Sequence, residues 1–255
     1  MAVQELVSIV VPVYNAGKYI EETIAMVQAQ DYPDWELLLV DDCSKDDSCE
    51  KIVRCIEQSP VGSKIRLIKK PVNEGAAKAR NTGIHEAVGR YIAFLDADDV
   101  WKPEKLTKEL GFMKEKQAAF VFTAYEFGNE KAEPTGKVVQ VPETLTYKQA
   151  LSRTVIFTTT VLFDTAKISK ELLYMPAVKS EDTATWWKIL RNGYTAYGLN
   201  EVLAIYRRPP GSLSSNKLEA IRRIWNLYRK EEKLNFFYSL YNLCFWAVRA
   251  TLRRI

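Results

Sequence analysis

Strand-like and helix-like segments alternate through the first hundred residues, and this alternation restricts the fold more than any other feature of the chain. Apolar runs at 6–13, 35–40, 65–68 and 91–95 have the length and composition of buried strands, and the segments between them carry apolar residues at helical spacing. Regular alternation of this kind indicates a parallel sheet with helices on both faces. The sequence therefore predicts an α/β fold with a doubly wound parallel sheet.

Three carboxylates follow the fourth of these strands directly. Asp96, Asp98 and Asp99 lie within four residues, and carboxylates this close raise each other's pKa unless a cation neutralises them. Mg²⁺ and Mn²⁺ prefer hard oxygen ligands and are often shared between one or two carboxylates and substrate phosphates. The cluster predicts a divalent metal site, and the alternative is a solvated acidic loop with helix-capping Asp.

A second acidic strand end lies at Asp41 and Asp42, after the run 35–40. An Asp at this place can accept hydrogen bonds from a base or a ribose, or it can simply cap a turn. Open α/β sheets bind ligands at the carboxyl ends of their strands. Two acidic strand ends in one sheet favour the ligand-binding interpretation for both.

Further candidates for chemistry lie on helices. Glu181 and Asp182 begin a helix, where a carboxylate either caps the N-terminus or stays ionised and serves as a general base. Arg80, on the helix before the acidic strand, can face a diphosphate. Trp186 and Trp187 follow Asp182 on the same helix, one of them predicted in the core and either able to stack on a sugar ring. The chain has no GxxxxGK[ST] and no GxGxxG motif, so the common phosphate-loop interpretations fail.

The alternation is less regular beyond Asp99. Pattern and turn residues predict, in order, a helix at 103–114, a strand at 118–125, a hairpin or loop at 128–142, a strand at 155–163, a helix at 181–190 that Ser180 helps to cap, a strand at 202–206 and a basic loop at 207–215.

The C-terminal segment 216–255 is basic. It contains nine Lys/Arg against three Glu, a net charge of about +6, which leaves about −2 for residues 1–215 out of the overall +4. Its apolar residues form two helical stripes, and the run 236–248 is shorter than the roughly 20 apolar residues that a membrane-spanning helix needs. The pattern predicts an amphipathic helical tail at a membrane surface. The alternative is packing on the catalytic domain or on a second subunit, as a homodimer. Nucleic acid is not an expected partner, since the basic residues are interleaved with an apolar stripe.

The cysteines and the N-terminus predict a cytosolic protein. The four cysteines, at 43, 49, 55 and 244, show no CxxC pairing, so reduced thiols are expected rather than a zinc site. No basic region followed by an apolar segment begins the chain, so no signal peptide is expected.

Five motifs, in this order and at these separations, resemble the inverting family 2 glycosyltransferases of the GT-A fold. They are Val10-Val11-Pro12-Val13-Tyr14-Asn15, Val40-Asp41-Asp42-Cys43-Ser44, Asn73-Glu74-Gly75 with Ala79-Arg80-Asn81, Leu95-Asp96-Ala97-Asp98-Asp99, and Glu181-Asp182 followed by Trp186. The size and tail are similar to those of bacterial enzymes of cell-wall or capsular polysaccharide assembly, such as the teichuronic acid glycosyltransferases.

The resemblance implies a mixed, mainly parallel sheet in a GT-A domain at 1–215, with a nucleotide-binding half at 1–100 and an acceptor-binding half at 101–215. The tail at 216–255 would associate with the membrane. The implied activity is metal-dependent transfer of a hexose, with inversion, from a nucleotide sugar to a lipid-linked glycan in polysaccharide synthesis. A UDP-sugar is the favoured donor, and the implied location is the cytoplasmic face of a bacterial membrane.

The resemblance also implies residue roles. Pro12, Tyr14 and Asp41 would hold the base and ribose, with Asp96 by the nucleotide and Arg80 near the donor. Asp98, in the DXD-type motif, would bind Mg²⁺ or Mn²⁺, and Asp182 would be the catalytic base. The further candidates for the site are Asp99, Glu181, Trp186 and Arg207. A late loop at 207–215 would close over the diphosphate.

Two departures and two alternatives accompany the resemblance. The late loop at 207–215 matches the family pattern only loosely. Cys43 stands where many members have Gly, so the turn there is expected to manage without an easy positive φ. The alternatives are a sugar-nucleotide nucleotidyltransferase and a non-catalytic GT-A-like binding module. The first normally has a Gly-rich basic loop after the first strand, which Pro12-Val13-Tyr14-Asn15 is not.

Overall fold

A computed structural model describes residues 5–208 and 217–252 of the chain. Most of the strands in this part join one sheet in the order β3-β2-β1-β4-β9-β6-β10-β5, with β7 paired to β6 and β8 to β10. The strands are β1 Val7–Val13, β2 Trp35–Asp41, β3 Ile65–Lys69, β4 Tyr91–Phe94, β5 Val100–Trp101, β6 Phe120–Gly128, β7 Pro134–Val139, β8 Thr144–Leu145, β9 Val161–Asp164 and β10 Ala196–Arg207.

The first four long strands are parallel, as the alternation predicts. β1 pairs with β2 on one side and with β4 on the other, and β2 pairs with β3. β2 and β4 are buried along their whole length, which explains their continuous apolar sequences. The crossover helices are α1 Ile20–Gln28, α2 Ser48–Gln58 and α3 Ala76–Glu86. α3 approaches β1 closely because Gly83 has no side chain: a Cβ there would lie 2.2 Å from Val10 Cγ1.

The second half extends the same sheet. β9 lies between β4 and β6 and is antiparallel to both, whereas β6 and β10 form a long parallel pair. The sheet is therefore mixed, with parallel pairing in its longest ladders, and the predicted fold class is confirmed. The halves predicted at 1–100 and 101–215 share this one sheet.

The remaining predictions between residues 100 and 200 are mostly confirmed. β6 and β7 form the hairpin expected at 128–142. The strand predicted at 155–163 is wrong over most of its length, because a 3₁₀ turn at Thr158–Thr160 precedes the short β9. The three threonine hydroxyls of this turn donate to Asp182, to Asp99 and to the Phe157 carbonyl. The helices here are α4 Lys105–Glu115, α5 Tyr147–Leu151, α6 Lys170–Leu173 and α7 Glu181–Arg191.

The C-terminal segment packs through one face on the rest of the protein, residues 5–208, which is here called the body. It comprises α8 Lys217–Asn226, a π-helical turn Leu227–Glu231 and α9 Phe236–Leu252. Tyr228 stacks on Trp187 with ring centroids 5.2 Å apart and donates to the Leu151 carbonyl. Trp246 Nε1 donates to Thr154 Oγ1 at 2.8 Å. Within the described ranges no helix combines the length and the hydropathy needed to span a bilayer.

Candidate active site

A cavity of about 520 Å³ lies at the carboxyl ends of β1, β2 and β4. Its lining includes Pro12, Tyr14, Asp42, Gly75, Arg80, Asp96 and Asp98. Tyr14 is half exposed at the end of β1. This is the edge of the sheet at which the sequence predicted a ligand site.

Asp42, and not the predicted Asp41, faces this cavity. Asp41 accepts a hydrogen bond from the Ser44 N–H at 3.2 Å and stabilises the turn after β2. Asp42 accepts from the N–H groups of Glu74 and Gly75, at 3.0 and 2.6 Å, and pairs with Lys70 at 2.6 Å. Burial opposes its charge, but Lys70 and the two amide donors hold the pKa of Asp42 below its usual value. Asp42 therefore fixes the start of α3 against the cavity.

The turn between β2 and α2 contains a strained residue. Cys43 has φ 65°, so the expectation of a turn without positive φ is wrong. The chain reverses here, with Cys43 in the left-handed region and the Ser44 N–H bonded to Asp41. An L-residue pays about 1–2 kcal/mol for that conformation.

Cys43→Gly is expected to stabilise the protein by about 0.5–1 kcal/mol, because the relief of left-handed strain outweighs the larger backbone entropy that Gly loses on folding. Urea unfolding monitored by circular dichroism measures the change. Cys55→Gly, inside α2, is the control and should destabilise. A loss of stability in Cys43→Gly would show that the thiol contributes more than the strain costs.

The turn after β4 that contains Asp96, Asp98 and Asp99 is here called the acidic turn. Asp98 and Asp99 have different environments in it. Asp99 is buried and accepts hydrogen bonds from Thr159 Oγ1 at 2.6 Å and from the Arg207 N–H at 3.1 Å. Burial and the charges of Asp96 and Asp98 raise the pKa of Asp99 well above its usual range. Asp98 is partly exposed to the cavity, and burial together with Asp96 raises its pKa as well. Asp98 is the carboxylate available to a ligand, whereas Asp99 anchors the turn.

Arg207 is buried at the end of a strand, which corrects its predicted place in a basic loop. It is the last residue of β10. Its guanidinium donates to the carbonyls of Asp98 and Glu130, at 2.6 and 3.0 Å, and pairs with Glu22 at 2.7 Å. It supports the acidic turn from behind. Residues 209–215 of the predicted loop lie outside the described residues.

Arg80 connects the acidic turn to α7. Its buried guanidinium pairs with Asp96 and, at 3.0 Å, with Glu181. Burial opposes the charge of Arg80, but Asp96 and Glu181 outweigh it and raise the arginine pKa. The pKa of Glu181 is raised by burial and by the charge of Asp182. Arg80 thus holds carboxylates from two distant segments together.

Asp182 is connected to the acidic turn by a second set of contacts, through Thr158 and Thr159. Its carboxylate, in the first turn of α7, accepts from Thr158 Oγ1 at 3.2 Å and from the Thr183 N–H at 2.6 Å. Thr158 is adjacent in the chain to Thr159, whose hydroxyl donates to Asp99, so two consecutive residues hold the two acids. Ser180, predicted to help cap this helix, has φ 61° and makes no side-chain cap. The structure therefore brings Asp182 beside the acidic turn.

Trp186 belongs to the core and exposes no ring face for the sugar contact that the sequence left open. It is 2% exposed, and its ring packs on Phe163 and Phe120 at centroid distances of 5.4 and 5.7 Å. Apolar residues around Trp186 leave no ring face for a ligand. Trp187 is likewise covered by Tyr228.

A sequence model described as glycosyl transferase family 2 matches residues 8–172. The chain belongs to this family. It is thus a glycosyltransferase of the hexosyltransferase type, as the motifs predicted, and this sets aside the nucleotidyltransferase alternative and the non-catalytic module.

Relatives and solved structures agree with the family assignment. The chain is 41% identical to TuaG, a glycosyltransferase assigned to teichuronic acid biosynthesis in Bacillus subtilis (strain 168), over 98% of each chain. It is 35% identical to the Escherichia coli enzyme WfgD, named as a UDP-Glc:α-D-GlcNAc-diphosphoundecaprenol β-1,3-glucosyltransferase, over 87% of this chain and 85% of WfgD.

Two solved structures share the GT-A fold. S. aureus TarS 1–349 in complex with UDP-GlcNAc has a TM-score of 0.70 at 23% identity, covering 94% of this chain and 71% of that one. The mannosyltransferase PcManGT from Pyrobaculum calidifontis, in complex with GDP-Man and Mn²⁺, has a TM-score of 0.73 at 20% identity, covering 95% and 73%.

Sequence reasoning misses several residues of this family 2 site. The apolar pattern places Thr158 and Thr159 in a strand, although a run of three hydroxyl residues in an apolar segment is itself a signal of polar contacts. Asp41 and Asp42 are equivalent by pattern, and only the three-dimensional turn distinguishes them. The contact between Arg80 and Glu181, which are 101 residues apart, has no local signal.

The carboxylates fit a divalent ion that is shared with a substrate. Within residues 5–208 and 217–252, no three His, Cys, Asp or Glu side chains form a metal site by themselves. In the same ranges the carboxylate of Asp98 pairs with no Lys or Arg, and it lies beside Asp96 at the cavity. One or two carboxylates completed by substrate phosphates is a usual arrangement for Mg²⁺ and Mn²⁺.

Proposed function

We propose that this enzyme transfers a hexose from a UDP-sugar to a lipid-linked glycan, with inversion, in bacterial cell-surface polysaccharide synthesis. The names of TuaG and WfgD support the pathway class and a lipid-diphosphate acceptor, and UDP-GlcNAc in TarS supports the donor class. A lipid-linked acceptor places the reaction at a membrane surface, on the cytoplasmic face where nucleotide sugars are available.

The observation that carries the proposal is the double connection between the acidic turn and α7. Arg80 joins Asp96 to Glu181, and the Thr158–Thr159 pair joins Asp182 to Asp99. A nucleotide cavity and an accessible carboxylate are thereby held in one rigid site. Inverting transfer requires this combination, because the base must act on the acceptor while the diphosphate departs on the other side.

The cavity suits the nucleotide part of the donor. Pro12 and Tyr14 offer an apolar wall and an aromatic ring for the base, and the buried Asp42 holds the start of α3 at the same wall. Asp41 acts through the turn that positions Asp42 and does not contact the donor. Asp96, neutralised by Arg80, lines the cavity, and Arg80 connects it to Glu181, the residue before Asp182.

Asp182 is the general base in this mechanism. It accepts the proton of the acceptor hydroxyl while that oxygen forms a bond to the anomeric carbon. The bond from the anomeric carbon to the diphosphate oxygen breaks on the opposite face, and its electron pair leaves with the nucleoside diphosphate. The configuration at carbon is inverted.

Asp98 would hold the Mg²⁺ or Mn²⁺ ion, with Asp96 nearby. Such an ion, when bound with the donor, offsets the charge that builds on the leaving diphosphate. Arg207 and Asp99 keep the main chain of Asp98 in place for this role.

Asp98→Asn is expected to abolish the extra stabilisation that Mn²⁺ gives in the presence of UDP. A ligand at a hundredfold excess over its Kd stabilises the folded state by about 2.7 kcal/mol, so thermal unfolding with UDP, with and without Mn²⁺, reports it. The variant should still respond to UDP alone. Asp34→Asn, at an exposed position outside the cavity, is the control. An undiminished Mn²⁺ effect in Asp98→Asn would show that the ion binds elsewhere.

A further inference from the structure

The outer face of α9 is apolar along the helix. Phe237 is 82% exposed and Val248 is 59% exposed. The exposed large apolar residues of α9, here called the apolar face, are Phe236, Phe237, Leu240, Tyr241, Phe245 and Val248. Their spacing places them on one side of the helix, opposite the buried Ser239, Asn242 and Trp246. Contiguous exposed apolar surface of this kind marks an interaction site.

The charges of the tail are divided between its two sides. Two of its acids pair with cations of the body, Glu219 with Lys179 at 2.7 Å and Glu232 with Arg191 at 2.6 Å. In the part of the chain that the structure describes, Lys230 and Lys233 pair with no carboxylate, and both are exposed before α9 begins. Two of the three acids of the tail thus hold it on the body, which leaves positive charge beside the apolar face.

A groove that contains arginine side chains adjoins the apolar face where α9 meets the segment 148–155. It consists of two neighbouring cavities of about 520 and 640 Å³. Arg153 and Arg249 line both cavities, and Lys148 and Tyr241 line the second. Arg153 is exposed and has no carboxylate partner among the described residues. Since Tyr241 belongs to the apolar face as well, cations and apolar side chains form one continuous surface.

We propose that this surface docks on a bilayer containing anionic phospholipid. The apolar face enters the boundary between headgroups and acyl chains, and the guanidinium groups of Arg153 and Arg249 bind a lipid phosphate in the groove. Lys230 and Lys233 add electrostatic attraction to the negative surface. A second copy of the chain suits the surface less well, because two tails of about +6 each would repel.

The test is flotation of the intact protein with vesicles of phosphatidylglycerol and phosphatidylcholine, compared with phosphatidylcholine alone, at low salt. Binding to the mixed vesicles is expected, and Phe237→Asp with Tyr241→Asp should weaken it at least about tenfold, since two inserted side chains become charged. Val88→Asp, which alters an equally exposed apolar residue on the body, should bind as wild type does. Equal binding by all three proteins, or none by wild type, would overturn the proposal.

The electrostatic part has its own matched pair of variants. Lys230→Glu with Lys233→Glu should reduce binding to the anionic vesicles at least about tenfold, because each Lys or Arg near such a surface contributes to attraction. Lys131→Glu with Lys137→Glu, on the exposed β6–β7 hairpin, changes the net charge equally and should have little effect. If both double variants lost vesicle binding equally, net charge alone would explain the loss, and this would contradict a defined docking face.

Cys244, exposed beside the apolar face, distinguishes a membrane from a second copy. Its alkylation, followed by mass spectrometry of the peptide, should slow in the presence of anionic vesicles. Slowing that depends on protein concentration without vesicles would instead assign the face to a dimer. These measurements need neither donor nor acceptor, so their failure is separate from failure of the proposed transfer reaction.

Discussion

Asp182→Asn is expected to lower kcat by about 10²–10⁴-fold, the usual contribution of a positioned general base. Asparagine has nearly the same shape, and its carbonyl oxygen can still accept the hydrogen bond from Thr158 Oγ1. It cannot take up the proton of the acceptor hydroxyl, so the nucleophile stays protonated. Because Asp182 is not among the residues that line the nucleotide cavity, donor binding should be unaffected.

Two measurements make this test specific. The rate of glycosyl transfer is measured at saturating donor, and thermal stabilisation by UDP shows whether the nucleotide site is intact. Glu181→Gln is the informative comparison, because Glu181 is the neighbouring carboxylate and pairs with Arg80. If Glu181 were the base, its Gln variant would lose transfer and Asp182→Asn would keep it. Retention of wild-type transfer by Asp182→Asn would refute the assignment of the base.

The parallel half of the sheet was predictable because its signals are local. The runs in β1, β2 and β4 are apolar on both faces, and each lies next to a helix-forming segment along the chain. The acids after β2 and β4 also follow from local sequence. Since parallel strands end at a common edge, local signals were sufficient to place the acids after β2 and the acids after β4 at the same edge of the sheet.

The antiparallel part and the contacts between acids were not predictable in the same way. β9 is inserted between β4 and β6 by pairings that only the folded sheet creates. The distinction between Asp41 and Asp42 depends on the left-handed conformation of Cys43, which an L-residue seldom adopts. The burial of Trp186 depends on aromatic residues from β6 and β9. Each of these is set by tertiary packing rather than by sequence pattern.

The tail illustrates the same limit. Its amphipathic stripes are visible in the sequence, but which stripe covers the body depends on partners such as Trp187, which stacks on Tyr228. The sequence left open whether the tail binds a membrane or packs on the catalytic domain, and these two contacts involve different faces of the same helices. The inner face packs on the catalytic domain, and the outer face is the one proposed for lipid.

Arg80→Met should be among the most destabilising substitutions in the site, with an expected loss of about 3–5 kcal/mol, as when one partner of a buried ion pair is removed. Arg80 is 5% exposed and neutralises Asp96 and Glu181 together. Met has a similar length and keeps most of the packing, so the effect reports the charge. Arg80→Lys should lose less, although an ammonium lacks the planar fork that serves two carboxylates at once.

Urea unfolding measures these differences, and Arg66→Met is the matched control. Arg66 also pairs with a glutamate, Glu86, but the pair is largely exposed, so little change in stability is expected. The deficit of Arg80→Met should shrink as the pH is lowered. Burial and the charge of Asp182 raise the pKa of Glu181, so the stability that this carboxylate costs without Arg80 at neutral pH is recovered once Glu181 is protonated.

The effect of Arg80→Met on kcat shows whether Arg80 positions the active site in addition to stabilising the fold. Without Arg80, repulsion between Asp96 and Glu181 moves the first turn of α7, and Asp182 moves with it. We therefore expect kcat to fall in Arg80→Met even at temperatures where the protein is fully folded, and to recover in part in Arg80→Lys. A variant that is destabilised but transfers sugar at the wild-type rate would show that Asp182 is positioned by Thr158 alone.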